Sequence, residues 1–255
     1  MISTIYKRFC LLVSVLFILF LSYSLAFAIT INPFNERPVP VGTPPSGEKS
    51  LQWILDQFGW GLNAYTDQHP AGLWTSVSPI YPATMPVLMF EYAGFADSNI
   101  FGIWSDKDMD TNTPPITVDI FKGGATYGTW AALAWDISGK LSIWGTDPSK
   151  INIGTFSGIN PFSFGFYLRR EDGPIFYTVD QLNNGLAQAL AFNRPNSDTW
   201  VIAFEDLSGL DSDYDYNDMV VRVESIKPVP EPASLFLLGS GLIGVGIYRW
   251  RRMRK

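Results

Sequence analysis

The sequence Thr199-Trp200-Val201-Ile202-Ala203-Phe204 is a short apolar run rich in aromatic and β-branched residues, and Met219-Val220-Val221-Arg222-Val223-Glu224-Ser225 is a second. Runs of this length and composition, bounded by polar turn residues, are typical of β-strands. Alternation in the second run is imperfect. The sequence therefore predicts a strand there without indicating which of its faces is buried.

Eight further apolar or alternating runs follow Leu73, and Gly, Pro, Asn and Asp separate them. They are residues 87–92, 100–104, 116–121, 129–137, 141–144, 162–168, 175–178 and 187–192. Many short strands with turn signals between them predict an all-β sandwich or barrel. Aromatic residues make up 15% of the chain and would supply the large buried side chains of such a fold without disulfides. We therefore expect an all-β domain, a jelly-roll-like β-sandwich, over residues 50–226.

A Pro-rich spacer and a short N-terminal helix are predicted ahead of the strands. Residues 29–49 contain many prolines and few large apolar groups, which is typical of an extended spacer. Ser50 is suited to cap the N-terminus of a helix that Gly59 would end. The apolar face of this helix would consist of Leu51, Ile54, Leu55 and Phe58.

Residues 1–28 have the features of a secretory signal peptide. Lys7 and Arg8 precede an apolar core at residues 9–21, and Ala26-Phe27-Ala28 provides a small-x-small cleavage site. We therefore expect an exported chain. Cys10 is the only cysteine and lies within this segment, so the mature protein would have no thiol chemistry and no disulfides.

The C-terminal segment, residues 227–255, combines three features. Pro230-Glu231-Pro232 precedes an uncharged apolar span at residues 233–248, and a basic cluster follows the span. A helix over this span is short for a bilayer, which takes roughly 20 apolar residues. It is still a credible transmembrane anchor, because the basic cluster would hold its C-terminus in the cytoplasm. The cluster consists of Arg249, Arg251, Arg252, Arg254 and Lys255.

The order of motif, span and basic end resembles the PEP-CTERM sorting signal, in which exosortases recognise Pro-Glu-Pro and process the protein at the cell surface. The resemblance implies that signal peptidase and an exosortase process the chain. It also implies transient membrane anchoring and delivery to the cell surface or extracellular matrix. The alternative is an uncleaved single-span membrane protein in which Val229 and Pro230-Glu231-Pro232 form a stiff linker into the helix.

The charge of the exported part is strongly acidic. The two terminal segments hold seven of the 18 Lys and Arg and one of the 24 Asp and Glu, so residues 29–230 keep 11 basic and 23 acidic residues. The difference, 11 − 23, is a net charge of −12. This charge argues against nucleic acid or anionic lipid as a partner and is compatible with cation binding.

Two acidic loops present carboxylates at every second position and end in Asn. Carboxylate and amide oxygens are the ligands that Ca²⁺ prefers, and Ca²⁺ takes six to eight of them. We therefore expect a Ca²⁺ site at the second loop and a weaker candidate at the first, where Lys107 could partly neutralise the charge. The candidate ligands are Asp106, Asp108 and Asp110 in the first loop and Asp211, Asp213, Asp215, Asn217 and Asp218 in the second.

Neither loop is an EF-hand. The sixth position holds Thr111 or Tyr216 where that loop needs Gly, and the twelfth holds Thr117 or Arg222 where it needs Glu. The alternative to a metal site is that these side chains only accept hydrogen bonds from nearby backbone amides, as Asp and Asn commonly do in turns.

The second loop also carries a family resemblance. Phe204-Glu205-Asp206-Leu207, followed by Asp213-Tyr214-Asp215-Tyr216-Asn217-Asp218-Met219-Val220, resembles the motif of a bacterial extracellular domain of unknown function that often precedes a PEP-CTERM tail. The resemblance extends over residues 50–223. It implies a β-sandwich with the acidic motif at a loop near a metal, and it implies no particular activity.

Few residues could support catalysis. The chain has one histidine, His69, and no cysteine outside the signal peptide, which excludes His-based metal clusters and Cys nucleophiles in the mature protein. A carboxylate pair could hydrolyse glycosides, and Glu171-Asp172 and Glu205-Asp206 are available. We nevertheless expect a protein that is not an enzyme.

Three functional hypotheses remain. The first, which we favour, is a non-enzymatic surface or matrix protein of a biofilm or exopolysaccharide layer. The second is a Ca²⁺-dependent carbohydrate-binding module in which Trp60, Trp74 or Trp104 contacts sugar rings, although core packing is the commoner role of such side chains. The third is a carboxylate-pair glycoside hydrolase. Polysaccharide is thus a candidate partner.

Overall fold

The chain folds into short antiparallel strands, as its apolar runs predict. The computed structural model describes residues 37–69, 72–78, 84–90, 98–105, 114–170, 173–209 and 212–229, all within a unit that spans Pro33–Val229. Within these ranges, one α-helix, α1 (Leu51–Gln57), and a 3₁₀ helix, Asp180–Asn183, accompany the strands. The strands are β1 (Trp74–Ser76), β2 (Met85–Phe90), β3 (Asn99–Ser105), β4 (Ile116–Phe121), β5 (Ala132–Trp135), β6 (Leu141–Trp144), β7 (Gly154–Phe156), β8 (Gly165–Arg170), β9 (Ile175–Tyr177), β10 (Ala189–Asn193), β11 (Trp200–Phe204), β12 (Met219–Glu224) and β13 (Ile226–Pro228).

The strands form two four-stranded sheets and two smaller ones. One large sheet has the order β10-β11-β12-β2 and the other β4-β3-β8-β9, while β5-β6-β7 and β1-β13 form the small sheets. Every strand pairing among the described residues is antiparallel. All ten predicted strands are present. The three strands that were not predicted, β1, β7 and β13, have three residues each, and β9 is the one strand of that length that was predicted.

Aromatic side chains join the two large sheets. The ring of Phe101 on β3 stacks on Phe121 and Phe166 at centroid distances of 5.6 and 5.3 Å. It meets Phe204 of the opposite sheet edge-on at 6.1 Å. Ring pairs at these distances add to the stabilisation from burial itself. The expected all-β sandwich is therefore confirmed.

The helix α1 covers the outer face of the β10-β11-β12-β2 sheet. Ser50 caps the helix, since its hydroxyl oxygen accepts a hydrogen bond from the Trp53 N–H at 3.2 Å, and Gly59 follows the helix with a φ of +64°. Both signals were predicted. Because the helix covers one face and the opposite sheet covers the other, all five residues of β11 are buried and the strand shows no polar alternation. The second core cluster brings together Leu51, Ile54, Leu55, Leu190, Phe192, Val201, Ala203 and Val220.

Residues 37–49, here called the N-terminal strap, belong to the folded domain. Arg37 donates two hydrogen bonds to the Asp180 carboxylate, each 3.0 Å long, and Val39 exchanges hydrogen bonds with the Gln68 amide at 2.8 and 3.0 Å. The Gly42 N–H donates to the Tyr214 carbonyl at 2.8 Å. The predicted spacer at residues 29–49 is thus packed onto the sheet from Arg37 onward, and the domain begins before Ser50. Proline content alone cannot distinguish a free spacer from an extended segment with side-chain partners.

Two of the tryptophans proposed to contact sugars are core residues. Trp74 and Trp104 are fully buried, and the Trp104 indole donates to the Phe166 carbonyl at 2.9 Å. Trp60 is partly buried against Phe58, with ring centroids 4.8 Å apart. Trp74 and Trp104 therefore cannot reach a ligand at the surface.

The terminal predictions fall outside the described part of the chain. They are the signal peptide at residues 1–28, the sorting motif Pro230-Glu231-Pro232 and the apolar span at residues 233–248. Within the described ranges, no helix is both long and apolar enough to cross a membrane.

We expect the substitution Arg37→Met to lower the free energy of unfolding by about 3–5 kcal/mol, because it removes the guanidinium from a buried ion pair with the Asp180 carboxylate. The side chains of this ion pair are only 4% and 2% exposed. Urea denaturation measures the loss.

The matched control is Lys227→Ala, which breaks the exposed 3.5 Å pair with Asp198. An exposed pair contributes about 0–1 kcal/mol. Equal losses in the two variants would contradict a structural role for the strap.

Candidate metal centre

The β11–β12 hairpin brings acidic residues from its two strand ends together. Phe204, the last residue of β11, pairs with Met219, the first residue of β12. Glu205 and Asp206 follow β11, and Asp218 precedes β12. The strand pairing therefore places Asp218 beside the two acids that follow β11. The Asp206 N–H donates a 2.7 Å hydrogen bond to the Asp218 carboxylate.

Five carboxylates converge at this end of the hairpin in two groups of three. Glu205, Asp213 and Asp215 form the first group, and Glu205, Asp206 and Asp218 form the second. Within each group, one oxygen from each side chain lies within 4.8 Å of the others. Glu205 belongs to both groups and therefore stands at the centre of the cluster.

Two left-handed residues turn the loop so that its acids point to the cluster. Tyr214 and Tyr216 have φ angles of +57° and +55°, values that are uncommon for residues other than glycine. Tyr216 is held there because its ring is buried and its hydroxyl donates to the Ala187 carbonyl at 2.8 Å. This alternation gives Asp213 and Asp215 a common side of the loop.

Asn217 ties the loop to itself and to the N-terminal strap. Its backbone N–H donates to Asp215 Oδ1 at 3.1 Å and its side-chain Nδ2 donates to Asp215 Oδ2 at 2.6 Å. The same Nδ2 lies 3.3 Å from Glu48 Oε2 and 3.0 Å from the Lys49 carbonyl oxygen. Asp215 therefore accepts loop hydrogen bonds, as the backbone-capping alternative expects, and also belongs to the carboxylate cluster.

The cluster excludes water from most of its carboxylates. Glu205, Asp206 and Asp215 are only 1%, 2% and 1% exposed. Burial raises the pKa of Glu205 to about 7, with the charge of Asp213 adding to the rise, and raises the pKa of Asp215 to about 6. Burial, together with Asp206 and Glu205, raises the pKa of Asp218 to about 9. The metal-free site thus favours protonated acids.

The pKa of Asp206 is also raised, although two neighbouring groups act against the rise. Burial raises its pKa, while a 2.9 Å hydrogen bond from Asn99 Nδ2 and the charge of Arg170 lower it. Burial is the larger influence, so the pKa of Asp206 lies above its ordinary value.

Three buried oxygens at the cluster have no hydrogen-bond partner among the described residues. They are Glu205 Oε2, Asn217 Oδ1 and Asn99 Oδ1. A buried polar atom without a partner is unfavourable, and most such atoms in native proteins are satisfied. Carboxylate and amide oxygens are the ligand type that Ca²⁺ prefers.

The structure brings together only part of the predicted ligand set. Asp213, Asp215 and Asp218 lie in the cluster, and Asn217 lies against Asp215. Asp211 and the first-loop candidates Asp106, Asp108 and Asp110 fall outside the described residues.

Three members of the site were not predicted as metal ligands. Glu205 and Asp206 were considered only as a hydrolase pair and as part of a family motif, although their position next to a predicted strand end could have placed them opposite Asp218. Asn99 reaches the site from β3, more than a hundred residues earlier. No local pattern marks it.

Two family models match the chain. The model of a domain of unknown function (DUF4114) matches residues 155–226, which include β11, the acidic loop and β12. A PEP-CTERM protein-sorting motif matches residues 228–254. The chain carries a PEP-CTERM sorting signal directly after a DUF4114 match. No curated protein and no solved structure gives a significant match.

The PEP-CTERM match supports the expected destination of the chain. This motif is a C-terminal sorting signal of exported proteins, which implies processing by an exosortase and membrane anchoring at the C-terminus. The protein is therefore exported and directed to the cell surface. The DUF4114 match confirms the expected domain of unknown function, although it begins at residue 155 rather than at residue 50.

We expect the metal-free domain to lose stability as the pH rises. Glu205, Asp215 and Asp218 have pKa values above the ordinary carboxyl values of 3.8 to 4.5, so the folded state binds more protons than the unfolded state. Their stabilising contribution is complete below those ordinary values and is lost as the pH passes through about 9. Urea midpoints measured at pH 5 and pH 9 with chelator present test this.

The control pair is Asp218→Asn, which should flatten this pH dependence, and Asp56→Asn on the exposed face of α1, which should leave it unchanged. A midpoint that rises from pH 5 to pH 9 in the chelated wild type would contradict the protonated cluster.

Proposed function

We propose that the exported domain is a non-enzymatic surface protein whose fold is completed by Ca²⁺ bound at the β11–β12 hairpin. The observation that carries this proposal is Glu205 Oε2, a buried carboxylate oxygen without a hydrogen-bond partner among the described residues, in a side chain shared by both carboxylate groups. A cation at this position supplies the partner that the surrounding protein groups do not give this oxygen.

The ligand chemistry favours Ca²⁺ over other metals. All candidate ligands are oxygens from carboxylates and amides, which suit hard cations, whereas soft metals prefer thiolate or imidazole. The exported part contains no cysteine, and its one histidine, His69, pairs with Ala191 and belongs to neither carboxylate group. Ca²⁺ also tolerates six to eight ligands in irregular geometry, while Mg²⁺ requires a near-ideal octahedron.

Burial of the acids supports a structural role over hydrolysis. A glycoside hydrolase needs a pair of carboxyl groups that flank the bond of a bound sugar. Glu205 and Asp206 are almost fully buried, so a sugar ring has no approach to them. The other candidate pair, Glu171-Asp172, lies outside the described residues.

The destination and the charge together suggest the setting in which the protein acts. Sorting to the cell surface places the domain outside the cell, where Ca²⁺ is available at extracellular concentrations. A net charge of −12 on residues 29–230 suits a hydrated matrix of polysaccharide and divalent cations. We therefore propose a role in a biofilm or exopolysaccharide layer.

We expect chelation to lower the Tm of the mature protein and added Ca²⁺ to restore it, because a ligand that binds only the folded state stabilises it by mass action. At a free concentration of about 100 times Kd the gain is about 2.7 kcal/mol. Differential scanning calorimetry measures the shift.

Asp213→Asn should reduce this Ca²⁺-dependent shift, since it removes one charged ligand from a side chain at the loop surface. The control Asp56→Asn changes an equally exposed acid on α1 and should keep the full shift. A Tm that is indifferent to chelator would leave the acids as backbone caps only.

We also expect the intact mass of the mature protein to lack residues 233–255, because exosortase processing removes the apolar span and the basic cluster. Mass spectrometry of the protein from wild-type cells measures this. Retention of these residues would support the uncleaved single-span alternative, and a strain without exosortase supplies the unprocessed reference.

A further inference from the structure

We propose that the hairpin binds two divalent cations and that Glu205 bridges them. The first cation would lie among Glu205, Asp213 and Asp215, and the second among Glu205, Asp206 and Asp218. This inference rests on the proposed function, since it assigns the number of ions and the ligands of the same site.

The geometry separates the acids into two coordination groups. Each group brings three carboxylate oxygens within 4.8 Å of one another, and only Glu205 is common to both. The first group is built from the loop, with Asp213 exposed to solvent. The second is built from the strand ends, where the Asp206 backbone N–H donates to the Asp218 carboxylate. A carboxylate has two oxygens, so Glu205 can bind one ion with each.

Each group has a buried asparagine beside it, and the side-chain nitrogen of that asparagine donates to one carboxylate of the group. Asn217 lies against Asp215, with Nδ2 2.6 Å from Oδ2, and its Oδ1 has no partner among the described residues. Asn99 lies against Asp206, with Nδ2 2.9 Å from Oδ2, and its Oδ1 is likewise without a partner in the described ranges. Both side chains are 1% exposed or less. Each carboxylate group is therefore held by an asparagine of its own.

The charge of the fully ionised cluster also favours two divalent ions over one. The five carboxylates carry a charge of −5 when all are ionised. One Ca²⁺ ion reduces this charge to −3, and a second reduces it to −1. Because like charges in a buried site repel strongly, the second ion removes most of the remaining repulsion.

The test is a count of ions bound to the mature protein. The protein is first stripped with chelator, and Ca²⁺ is then titrated and counted by isothermal titration calorimetry and native mass spectrometry. We expect two Ca²⁺ ions per chain. One ion per chain would overturn the two-ion site while the proposed function stands, and no bound ion would overturn both.

Isosteric variants assign each ion to its group. Asp213→Asn and Asp218→Asn should each reduce the count from two to one, and the double variant should bind none. The control Asp56→Asn should keep two.

Glu205→Gln tests the bridge, and we expect it to weaken the binding of both ions. Unchanged binding of both ions in this variant would overturn the bridging role.

Near-UV circular dichroism of the buried tryptophans confirms that each variant is folded before its ions are counted. If Glu205→Gln is not folded, the counts for Asp213→Asn and Asp218→Asn decide between two separate groups and one.

Discussion

Five residue pairs, from Trp200–Val223 to Phe204–Met219, hold β11 against β12 in the middle of a four-stranded sheet. This register directs Ile202 and Phe204 towards the core between the sheets and leaves Val201 and Ala203 beneath α1. A shift by one residue would exchange these faces. The same register also sets Glu205 opposite Asp218, so the packing of the core and the assembly of the acidic cluster depend on one set of backbone hydrogen bonds.

The acidic cluster contains locally unfavourable features, and the packing around it holds them in place. Two tyrosines adopt left-handed backbone conformations, and each such conformation costs on the order of 1–3 kcal/mol. Carboxylates are withdrawn from water beside one another, which disfavours their charged forms. Such arrangements persist only where neighbouring contacts over-determine them, and here Tyr216 and Asn217 provide those contacts through Ala187 and the N-terminal strap. Conflicts of this kind concentrate at binding sites.

The sequence predicted the features that depend on neighbouring residues and missed the contacts between residues that lie far apart in the chain. Apolar runs located ten strands, and Ser50 with Gly59 marked both ends of α1, because these signals depend on neighbours in the chain. Alternate acids pointed to Asp213 and Asp215 for the same reason. The role of Asn99 and the docking of Arg37 onto Asp180 depend on contacts across more than a hundred residues, which no spacing encodes. Trp74 is likewise buried against a residue far along the chain, Trp200, with ring centroids 4.8 Å apart.

The N-terminal strap has a consequence for the order in which the domain is completed. Gly42 binds the carbonyl of Tyr214, and β1 pairs with β13, so early residues find their partners only near the end of the domain. A β-carbon on Gly42 would lie 1.8 Å from the Asp213 carbonyl oxygen, which shows how closely these two segments approach. A chain that crosses a membrane N-terminus first must therefore wait, incompletely folded, until residue 228 has emerged. The sorting motif begins at that residue. The pairing of β1 with β13 and the export of the sorting motif therefore happen at the same stage. Membrane anchoring through the C-terminal segment would then hold the chain while β1 and β13 pair.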